Sequence, residues 1–454
     1  MFEAGHAESG AVVIVGAGVA GLAAAQHLTR AGVPALVLEA ATVVGGRMST
    51  EKVDGFRLDR IGQLLSTSYP ELRRTPGLDG LTLRPFSPGV LVHSEGRRLR
   101  TGEPARPRRA RGALSAARAL ASAPRPPRGV RPPLGGPLDH ARLGAALARL
   151  AATEPAKLLA RPELPIGRAL LARGMPSRML HGFVRPLLSA LLCDPGLTTS
   201  SRCADLALHA YAAGRLAVPE GGADALPELL AASLPPGTVH TGVRVTAVSA
   251  NSVTTAEHGE LPCRAVLLAT GARAAAALLP GLRVPAFHPV TVVHHAVPEA
   301  PLAEAALLLD ADRLGPVAHT AVISRVDPTR APAGRALVSS TVLGAPPSDH
   351  ELRTQLAALY GTSTSGWETL AVHHDPCAVP AMPAPHDPRR PVRLLHGLYV
   401  CGDHRDTSTV QGALHSGRRA AYAALADLGV PRAAAPQPQP ASAAPSEEPI
   451  GEAA

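Results

Sequence analysis

Apolar residues near the start of the chain follow two different spacings in quick succession. Residues 11–15, AVVIV, form an unbroken apolar run with the length of a buried strand. Residues 22–32, LAAAQHLTRAG, place apolar side chains at helical spacing and end at Gly32, a residue type suited to a helix C-terminus. A second short apolar run, PALVLEA, follows at 34–40. The pattern predicts a βαβ unit with two parallel strands.

Later segments also predict helices and strands in turn. Residues 139–192 are rich in alanine and leucine and predict helices, and PEGGADALPELLAASLPPG at 219–237 predicts a loop and an amphipathic helix. Short strands are predicted over 241–271, and the alternation over 286–345 is typical of antiparallel strands. The segment GALHSGRRAAYAALADLG, 412–429, predicts one last helix.

Composition indicates a folded globular protein, because 46% of the 454 residues are hydrophobic and 18% are charged. The last residues, 431–454, have instead the composition of a disordered tail. The five cysteines contain no CxxC pair, which favours neither a disulfide framework nor a zinc site and indicates a reducing compartment. The chain shows no signal-peptide pattern and no apolar run of about 18 residues. We therefore expect a cytoplasmic protein.

The net charge of +9 comes largely from arginine. Residues 97–131 contain eleven arginines and a single acidic residue, Glu103, interleaved with prolines. This pattern predicts an insertion over 97–133 with one helix and proline-rich flanks. The segment either rests peripherally on anionic lipid at the inner face of the membrane or is a solvated insertion. Nucleic acid is not favoured as a partner, because the chain has only one tryptophan, five tyrosines and five phenylalanines for base stacking.

A glycine-rich turn, GAGVAG, joins the first strand to the first helix. Gly16 suits the tight turn, Gly18 lets the backbone approach a pyrophosphate, and Gly21 allows close helix packing. The helix N-terminus then offers free N–H groups and a partial positive charge to the phosphates. Glu39, 18 residues after Gly21, has the spacing of a carboxylate that accepts hydrogen bonds from ribose hydroxyls. The turn predicts a dinucleotide-binding site.

The motifs that follow make this prediction more specific. Gly45, Gly46 and Arg47 form a GGR triplet, and the chain continues in order with DGFRLDRIGQ, PEGGADALPELLA, TGVRVTAV, AVLLATG and LYVCGDHRDTSTVQGALHSG. Over most of its length the chain resembles the flavin amine oxidase and phytoene desaturase superfamily. It departs from the superfamily's DxGxQ pattern at Ile61, where that pattern has glycine. The resemblance implies FAD as cofactor and an α/β fold, with a Rossmann-like FAD-binding domain and an α+β substrate domain.

The resemblance also implies further cofactor contacts. Gly402 and Asp403 are expected to bind the ribitol and pyrophosphate region, and main-chain groups of Val245 are expected to hold adenine. The last helix is expected to begin at Gly412 and Ala413 beneath the isoalloxazine. A helix N-terminus suits that place because reduction of the flavin builds negative charge on the ring.

Hydride transfer from a substrate C–H bond to the flavin is the reaction that the resemblance implies. Amine oxidases of the superfamily place a lysine near the flavin and two aromatic side chains around the amine. This chain has only Lys52 and Lys157, and residues 370–388 contain no aromatic residue. A small lipophilic substrate of the polyene or isoprenoid type is therefore favoured over an amine. The alternatives are a flavin amine oxidase, a non-redox flavin-dependent isomerase and a prenyl-binding escort protein.

No catalytic residue beyond the flavin is assigned from the sequence. His373 and His374 are candidates for acid–base work, but adjacent residues on a strand face opposite ways, so at most one can serve. A structural role competes with this hypothesis for each of them, as it does for His294 and His295. No metal-ligand spacing is present. Cys377 lacks the SGGCY-like context expected of a covalent flavin attachment.

We predict a discontinuous domain organisation. The FAD-binding domain is expected to combine residues 8–66, 205–285 and 392–430. The substrate domain is expected to combine residues 67–204 and 286–391. The sequence predicts no oligomeric state.

Overall fold

The computed structural model describes residues 10–103 and 134–431. Most of the arginine-rich segment and nearly all of the tail lie outside the described residues, together with the helix and the disorder predicted there. In chain order the strands are β1 (Val12–Val15), β2 (Ala35–Glu39), β3 (Thr50–Val53), β4 (Phe56–Asp59), β5 (Leu65–Ser66), β6 (Leu83–Pro85), β7 (Val90–Ser94), β8 (Arg97–Thr101), β9 (Leu216–Pro219), β10 (Val239–Thr241), β11 (Val245–Val248), β12 (Ser252–Thr255), β13 (Gly259–Pro262), β14 (Ala265–Leu268), β15 (Phe287–Val297), β16 (Leu308–Asp310), β17 (Val317–Val322), β18 (Ala336–Val342), β19 (Glu368–Pro380), β20 (Arg393–Leu395) and β21 (Leu398–Val400).

Helices occupy the segments between these strands. In chain order they are α1 (Val19–Arg30), α2 (Glu71–Arg74), α3 (Pro137–Ala151), α4 (Pro155–Leu159), α5 (Ile166–Ala172), α6 (Ser177–Met179), α7 (Arg185–Leu192), α8 (Ser201–Ala213), α9 (Ala225–Ala232), α10 (Ala272–Leu278), α11 (Ile323–Val326), α12 (Asp349–Tyr360) and α13 (Val410–Asp427). A π-helical turn, Leu180–Val184, connects α6 to α7, and 3₁₀ turns occur at Pro328–Arg330 and Asp403–Arg405. In the described part of the chain, no helix has the length and hydropathy needed to cross a bilayer.

A six-stranded sheet is assembled from three separate pieces of the chain, in the order β10, β2, β1, β14, β21, β20. Strand β1 pairs in parallel with β2 on one side and β14 on the other, and only β20 runs antiparallel to its neighbour. Every position of β1 and β14 is buried, because helices cover one face of the sheet and the β11–β13 sheet covers the other. The predicted βαβ unit and mixed α/β class are confirmed. The domain boundaries stay a prediction.

The first and last helices pack tightly against each other beside this sheet. Residues 19–28 of α1 are buried throughout, which suits their composition of alanine, glycine and other mostly small residues. Gly417 of α13 faces α1 so closely that a Cβ placed on it would lie 2.2 Å from the carbonyl oxygen of Ala20. The N-terminal and C-terminal motifs are thereby held side by side.

A seven-stranded mixed sheet forms the second half of the molecule, in the order β19, β15, β18, β17, β16, β7, β8. Adjacent strands of this sheet run antiparallel, except for β16 and β7, which run parallel. The residues of β8 open the predicted arginine-rich insertion, but they form an edge strand of this sheet. Helix α8 contributes Leu208 and Tyr211 to the core beneath the sheet, although the predicted FAD-binding piece begins at residue 205.

A buried ion-pair network fixes the β3–β4 hairpin against the second half. Arg330 is 1% exposed, and its guanidinium lies 2.8 Å from Asp59 Oδ1 and 2.9 Å from Asp327 Oδ2. Asp327 also accepts a hydrogen bond from the backbone N–H of Gly221 at 2.8 Å. Buried charges need such partners. The network holds the end of β4, and with it the segment leading to Gln63.

Candidate functional site

A groove of about 490 Å³ runs along the carboxyl ends of β1, β2, β14 and β21. Loops after parallel strands are the usual ligand-binding edge of such sheets. The groove collects most of the residues that the sequence singles out for the cofactor: Gly16, Gly18, Glu39, Gly45, Gly46, Arg47, Gly402, Asp403 and Ala413. Three other predicted residues, Gly21, Val245 and Gly412, do not line it.

The glycine turn at the N-terminus of α1 forms one wall of the groove. A Cβ on Gly21 would lie 2.1 Å from the Gly16 carbonyl oxygen, so its role is the close packing expected from the motif. A Cβ on Gly18 would meet no described atom within 4 Å. Gly18 therefore borders open space rather than protein. Helix α1 begins there without a side-chain cap, so its first N–H groups face this space.

Glu39 closes β2 and turns its carboxylate into the loop region. The carboxylate accepts hydrogen bonds from the backbone N–H of Ala17 at 2.7 Å and of Ala41 at 2.9 Å. These contacts fix the side chain at the edge of the groove. A carboxylate has about four acceptor positions, so it keeps capacity for ligand hydroxyls.

Arg47 connects the two ends of the chain across the groove. Its guanidinium lies 2.6 Å from Asp403 Oδ1 and donates to the carbonyl oxygen of Ala378 at 2.7 Å. Burial lowers the pKa of Arg47, but the pairing with Asp403 more than offsets this effect and the pKa is raised. Next to Asp403, burial lowers the pKa of His404 to about 4, so this imidazole is neutral near pH 7.

At the far end of the groove, the loop before α13 and the first turn of that helix form the wall. Thr409, Val410 and Ala413 line the groove. Gly412 faces away: a Cβ there would lie 1.9 Å from the Thr407 carbonyl oxygen, so its small size serves packing. Its N–H donates to the Thr409 hydroxyl, which caps the helix. The helix starts two residues earlier than the sequence predicts.

Val245 lies at the start of β11, away from the groove lining. Two residues earlier, Val243 is buried and its N–H donates to the carbonyl oxygen of Glu39 at 2.9 Å. Val243 is thus the residue of this segment that contacts the Glu39 end of the groove. The sequence offers two valines at short spacing, and only the backbone pairing distinguishes them.

Several lining residues were missed by sequence reasoning. The turn after β14 contributes Ala269, Thr270 and Arg273, and the hydroxyl of Thr270 is buried without a hydrogen-bond partner among the described residues. The sequence signal for these residues is the motif AVLLATG, whose last residues directly follow β14. Gln63 and Cys377 line the opposite side. Ile61 is buried in an apolar cluster with strands β15 and β19.

These features fit FAD. The open space at Gly18 and the uncapped helix suit a pyrophosphate, and the Glu39 carboxylate suits a ribose. The unpartnered Thr270 hydroxyl supplies a further polar contact within the groove. The Thr409 to Ala413 end suits the flavin ring.

A second cavity of about 280 Å³ meets the groove at Thr409, which lines both. One part of its wall is apolar and comes from helices α4, α7 and α8 and from the loop after β19: Leu159, Leu192, Leu206, Ala207, Ala210 and Met382. The thiol of Cys203 also lines this part, and burial raises its pKa to about 12, so it is not an activated nucleophile. Among the described residues, Tyr69 contributes a phenol ring to the lining of this cavity, and no phenylalanine or tryptophan lines it.

The other part of the second cavity carries charged side chains, among them Glu71 and Asp406. Glu71 is fully buried and forms a bidentate ion pair with Arg418, at 2.7 and 2.8 Å. Asp406 pairs with the imidazole of His415 at 2.8 Å and with Arg419 at 3.2 Å. Both carboxylates are thus already matched by cations of the protein.

The candidate histidines lie outside both linings. His373 and His374 face opposite ways on β19, as predicted: His373 packs on the ring of His294, and His374 lies 2.9 Å from the Thr291 hydroxyl. His294 bonds the Asp59 carbonyl oxygen and the Ser339 hydroxyl, and burial lowers its pKa to about 4. His295 is buried beside an indole ring. Structural roles account for these contacts.

Among the described residues, one group of potential metal ligands occurs away from the groove. His93, Asp310 and Asp312 bring one ligand atom each within 4.8 Å of the others. Asp310 already accepts three backbone N–H bonds from residues 312–314, and Asp312 accepts from the loop at residues 94–95. These hydrogen bonds explain the cluster as a means of stabilising the loop after β16.

A family model described as flavin containing amine oxidoreductase matches residues 19–425. Among individual proteins, the chain is similar to the putrescine oxidase of Kocuria rosea, with 51% identity over 61 residues. That match spans 13% of each chain. The family match confirms the predicted resemblance, with FAD as cofactor.

Solved structures share the fold over nearly the whole chain. An oxidoreductase from Methanosarcina mazei superposes with a TM-score of 0.66 at 17% identity, covering 90% of this chain and 99% of that one. A structure titled as a putative protoporphyrinogen oxidase from Exiguobacterium sp. 255-15 gives a TM-score of 0.63 at 17% identity, covering 93% and 99%. At these identities the likeness shows the fold alone.

Proposed function

The chain belongs to the flavin containing amine oxidoreductase family and is an FAD-dependent oxidoreductase, and we propose that it oxidises a small lipophilic molecule held in the second cavity. The main support for this proposal is the position of the cavity, which meets the cofactor groove at Thr409 and has an aliphatic wall. Bound FAD supplies a hydride acceptor. The residues of the chain bind the substrate, orient it toward the groove and exclude water.

We propose that different residues of the groove hold different parts of FAD. Gly18 and the N-terminus of α1 accept the pyrophosphate, and Glu39 accepts hydrogen bonds from the ribose. Arg47 and Asp403 would hold the middle of the cofactor, and Ala413 would contact the ring. Main-chain groups of residues 243–245, which follow the backbone bond to Glu39, would hold the adenine end.

Three features of the second cavity favour a lipophilic substrate over an amine. Both carboxylates in its wall are paired with protein cations, so neither is free to bind an ammonium group. Among the described residues its lining has one phenol ring, that of Tyr69, and no phenylalanine or tryptophan, so no pair of such rings flanks an amine there. The chain has no lysine after Lys157 that could serve near the flavin.

Anaerobic reduction of the flavin tests this proposal. The purified holoenzyme is mixed with polyenes and isoprenoids in one series and with mono- and diamines in another, and bleaching of the flavin absorbance is followed. We expect bleaching by the lipophilic series alone. Ala207→Phe, which narrows the second cavity, is expected to slow bleaching at least tenfold while the flavin content is kept. Bleaching that is insensitive to Ala207→Phe would exclude this cavity.

A flavin amine oxidase is the second candidate, favoured by the family match and by the 61-residue similarity to a putrescine oxidase. Bleaching by the amine series alone would replace our proposal with this one. A non-redox isomerase would need a reduced flavin and would not consume it, and an escort protein would bind prenyl groups without changing the spectrum. Contact of the arginine-rich segment with anionic lipid at the inner face of the membrane stays a prediction, since residues 104–133 lie outside the described part.

A further inference from the structure

The wall of the second cavity changes character along its length. Apolar side chains of Leu192, Leu206 and Met382 line one part, whereas Arg74, Arg389 and His415 line another. We call the latter part the rim. A molecule that fills the cavity therefore meets hydrocarbon along its body and charge at one end. The sign of that charge decides which polar end is accepted.

Acidic groups at the rim are neutralised within the protein. Glu71 is held by Arg418 and also lies 3.6 Å from Arg74, and Asp406 is held by Arg419. Around this part of the cavity, Arg74, Arg389, Arg418 and Arg419 outnumber the carboxylates of Glu71, Asp406 and Asp387. A cationic ligand end would gain no free partner here and would meet the unbalanced positive charge.

The guanidinium of Arg389 is the positive charge at the rim that a ligand can reach. Its side chain is exposed, lines the cavity, and has neither an ion pair nor a hydrogen bond to any described residue. The turn that carries it is fixed, because Arg419 donates to the carbonyl oxygens of Arg389 and Arg390 at 3.0 and 2.6 Å. The backbone N–H of Arg389 also donates to Asp387 at 2.8 Å. The guanidinium is thus free while its backbone is held.

Neighbouring arginines add to the positive electrostatic potential near Arg389. Arg405 has a buried Nε without a hydrogen-bond partner in the described part of the chain. Burial, and to a smaller extent the charges of Arg390 and Arg419, lower the pKa of Arg405. The charge of Asp387 acts in the opposite direction.

From these contacts we infer that the substrate carries an anionic group, a carboxylate or a phosphate, which Arg389 binds at the rim while the apolar body lies against α8. The inference rests on the proposed function and narrows its substrate class from lipophilic molecules to lipophilic acids. Arg389 is a specificity-determining residue in this arrangement. A guanidinium can bind either oxyanion through two parallel hydrogen bonds.

Calorimetric binding to the FAD-loaded protein tests the inference without requiring turnover. The probes are octanoate, octyl phosphate, 1-octanol and octylamine, which share one chain and differ in the end group. We expect at least one of the two anions to bind about tenfold more tightly than 1-octanol, and octylamine to bind most weakly. The preferred anion identifies carboxylate or phosphate as the natural group. Octylamine binding as tightly as octanoate and octyl phosphate would overturn the inference.

Variants at Arg389 separate its charge from general effects. Arg389→Ala is expected to bring the anions to the affinity of 1-octanol, Arg389→Lys to restore part of the difference, and Arg389→Glu to favour octylamine. Arg178→Ala is the matched control, because Arg178 is exposed and lines neither cavity. Equal loss of anion affinity in the Arg178 and Arg389 variants would contradict a specific role.

The two proposals can fail separately. If neutral lipids bleach the flavin but the anions bind no better than 1-octanol, the proposed function stands and the inference is wrong. If the anions bind tightly through Arg389 but only amines bleach the flavin, the rim binds acids and the proposed oxidation of a lipophilic molecule is wrong.

Discussion

The groove and the second cavity meet at one residue, Thr409, but their walls are built differently. The groove is formed by glycines, backbone groups and the ends of four parallel strands. The second cavity is formed by side chains of short helices that lie far apart in the sequence. A cofactor of fixed shape is bound mainly by backbone groups, whereas a substrate is bound mainly by side chains. Backbone binding sites leave short motifs in the sequence, and side-chain binding sites do not.

Gly21→Ala is expected to have the largest effect, because it disturbs the backbone turn that forms one wall of the groove. The added Cβ would lie 2.1 Å from the Gly16 carbonyl oxygen, so the turn and α1 must separate. We expect a loss of about 1–3 kcal/mol in the free energy of unfolding together with loss of bound FAD. Urea unfolding and the flavin-to-protein ratio measure both. Full flavin content at normal stability would show that the turn is more tolerant than its packing indicates.

Gly18→Ala separates the cofactor from the fold. Its Cβ would enter open space, so far-ultraviolet circular dichroism should be unchanged. The same methyl group would stand where we propose the pyrophosphate approaches, and we expect FAD affinity to fall about a hundredfold, or roughly 3 kcal/mol. Flavin retention on gel filtration and a titration with FAD give the measurement. Unchanged affinity would place the pyrophosphate elsewhere.

His319→Leu addresses the second half of the molecule. Strands β1 and β14 are wholly apolar, whereas β17 buries His319, and burial lowers the pKa of this imidazole from 6.5 to about 4. Between these values the unfolded chain takes up a proton that the folded chain resists, so stability falls as the pH drops from 6.5 toward 4. This residue accounts for a loss of about 2 kcal/mol between pH 7 and pH 5.

The measurement is urea unfolding of the holoenzyme at both pH values. His319→Leu should be less sensitive to acid by about that 2 kcal/mol. His350→Leu is the control, because it replaces a histidine that is exposed on α12. The same acid sensitivity in both variants would mean that His319 is not buried as a neutral ring.

Glu39→Gln is expected to have the smallest effect. The N–H groups of Ala17 and Ala41 bond different oxygens of Glu39, so the single amide oxygen keeps one of these two bonds, and the negative charge offered to the ribose is lost. We expect FAD to bind about tenfold more weakly, or roughly 1.4 kcal/mol, with the overall fold kept. Unaltered FAD affinity would remove Glu39 from the ribose site.

The sequence predicted the groove better than the second cavity for a physical reason. Gly16, Gly18 and Glu39 lie within one βαβ unit, where spacing along the chain determines position in space. The assignment of Val245 to adenine stays a prediction, because a main-chain contact leaves no side-chain signal that the groove lining could reveal. Gly412 was assigned to the flavin, but its small size is required by Thr407, a contact that only the folded loop shows.

Residues of the second cavity could not be grouped from the sequence. Glu71, Leu206 and Met382 belong to separate elements, and neither period nor spacing connects them. Their side chains are also ordinary for core or surface positions. Arg389 lies in a charged stretch, and its lack of an ion-pair partner among the described residues is a property of the fold.

The bridge between Arg47 and Asp403 has a consequence for how the protein is made. The two residues are 356 positions apart in the chain, yet they face each other across the groove. A ribosome that has released only the first strands and helices has delivered half of the cofactor site, with the face of α1 that receives Gly417 still bare. A cofactor that needs both Arg47 and Asp403 can therefore be fully held only after α13 has left the ribosome. Until then, the face of α1 that packs on Gly417 has no covering helix.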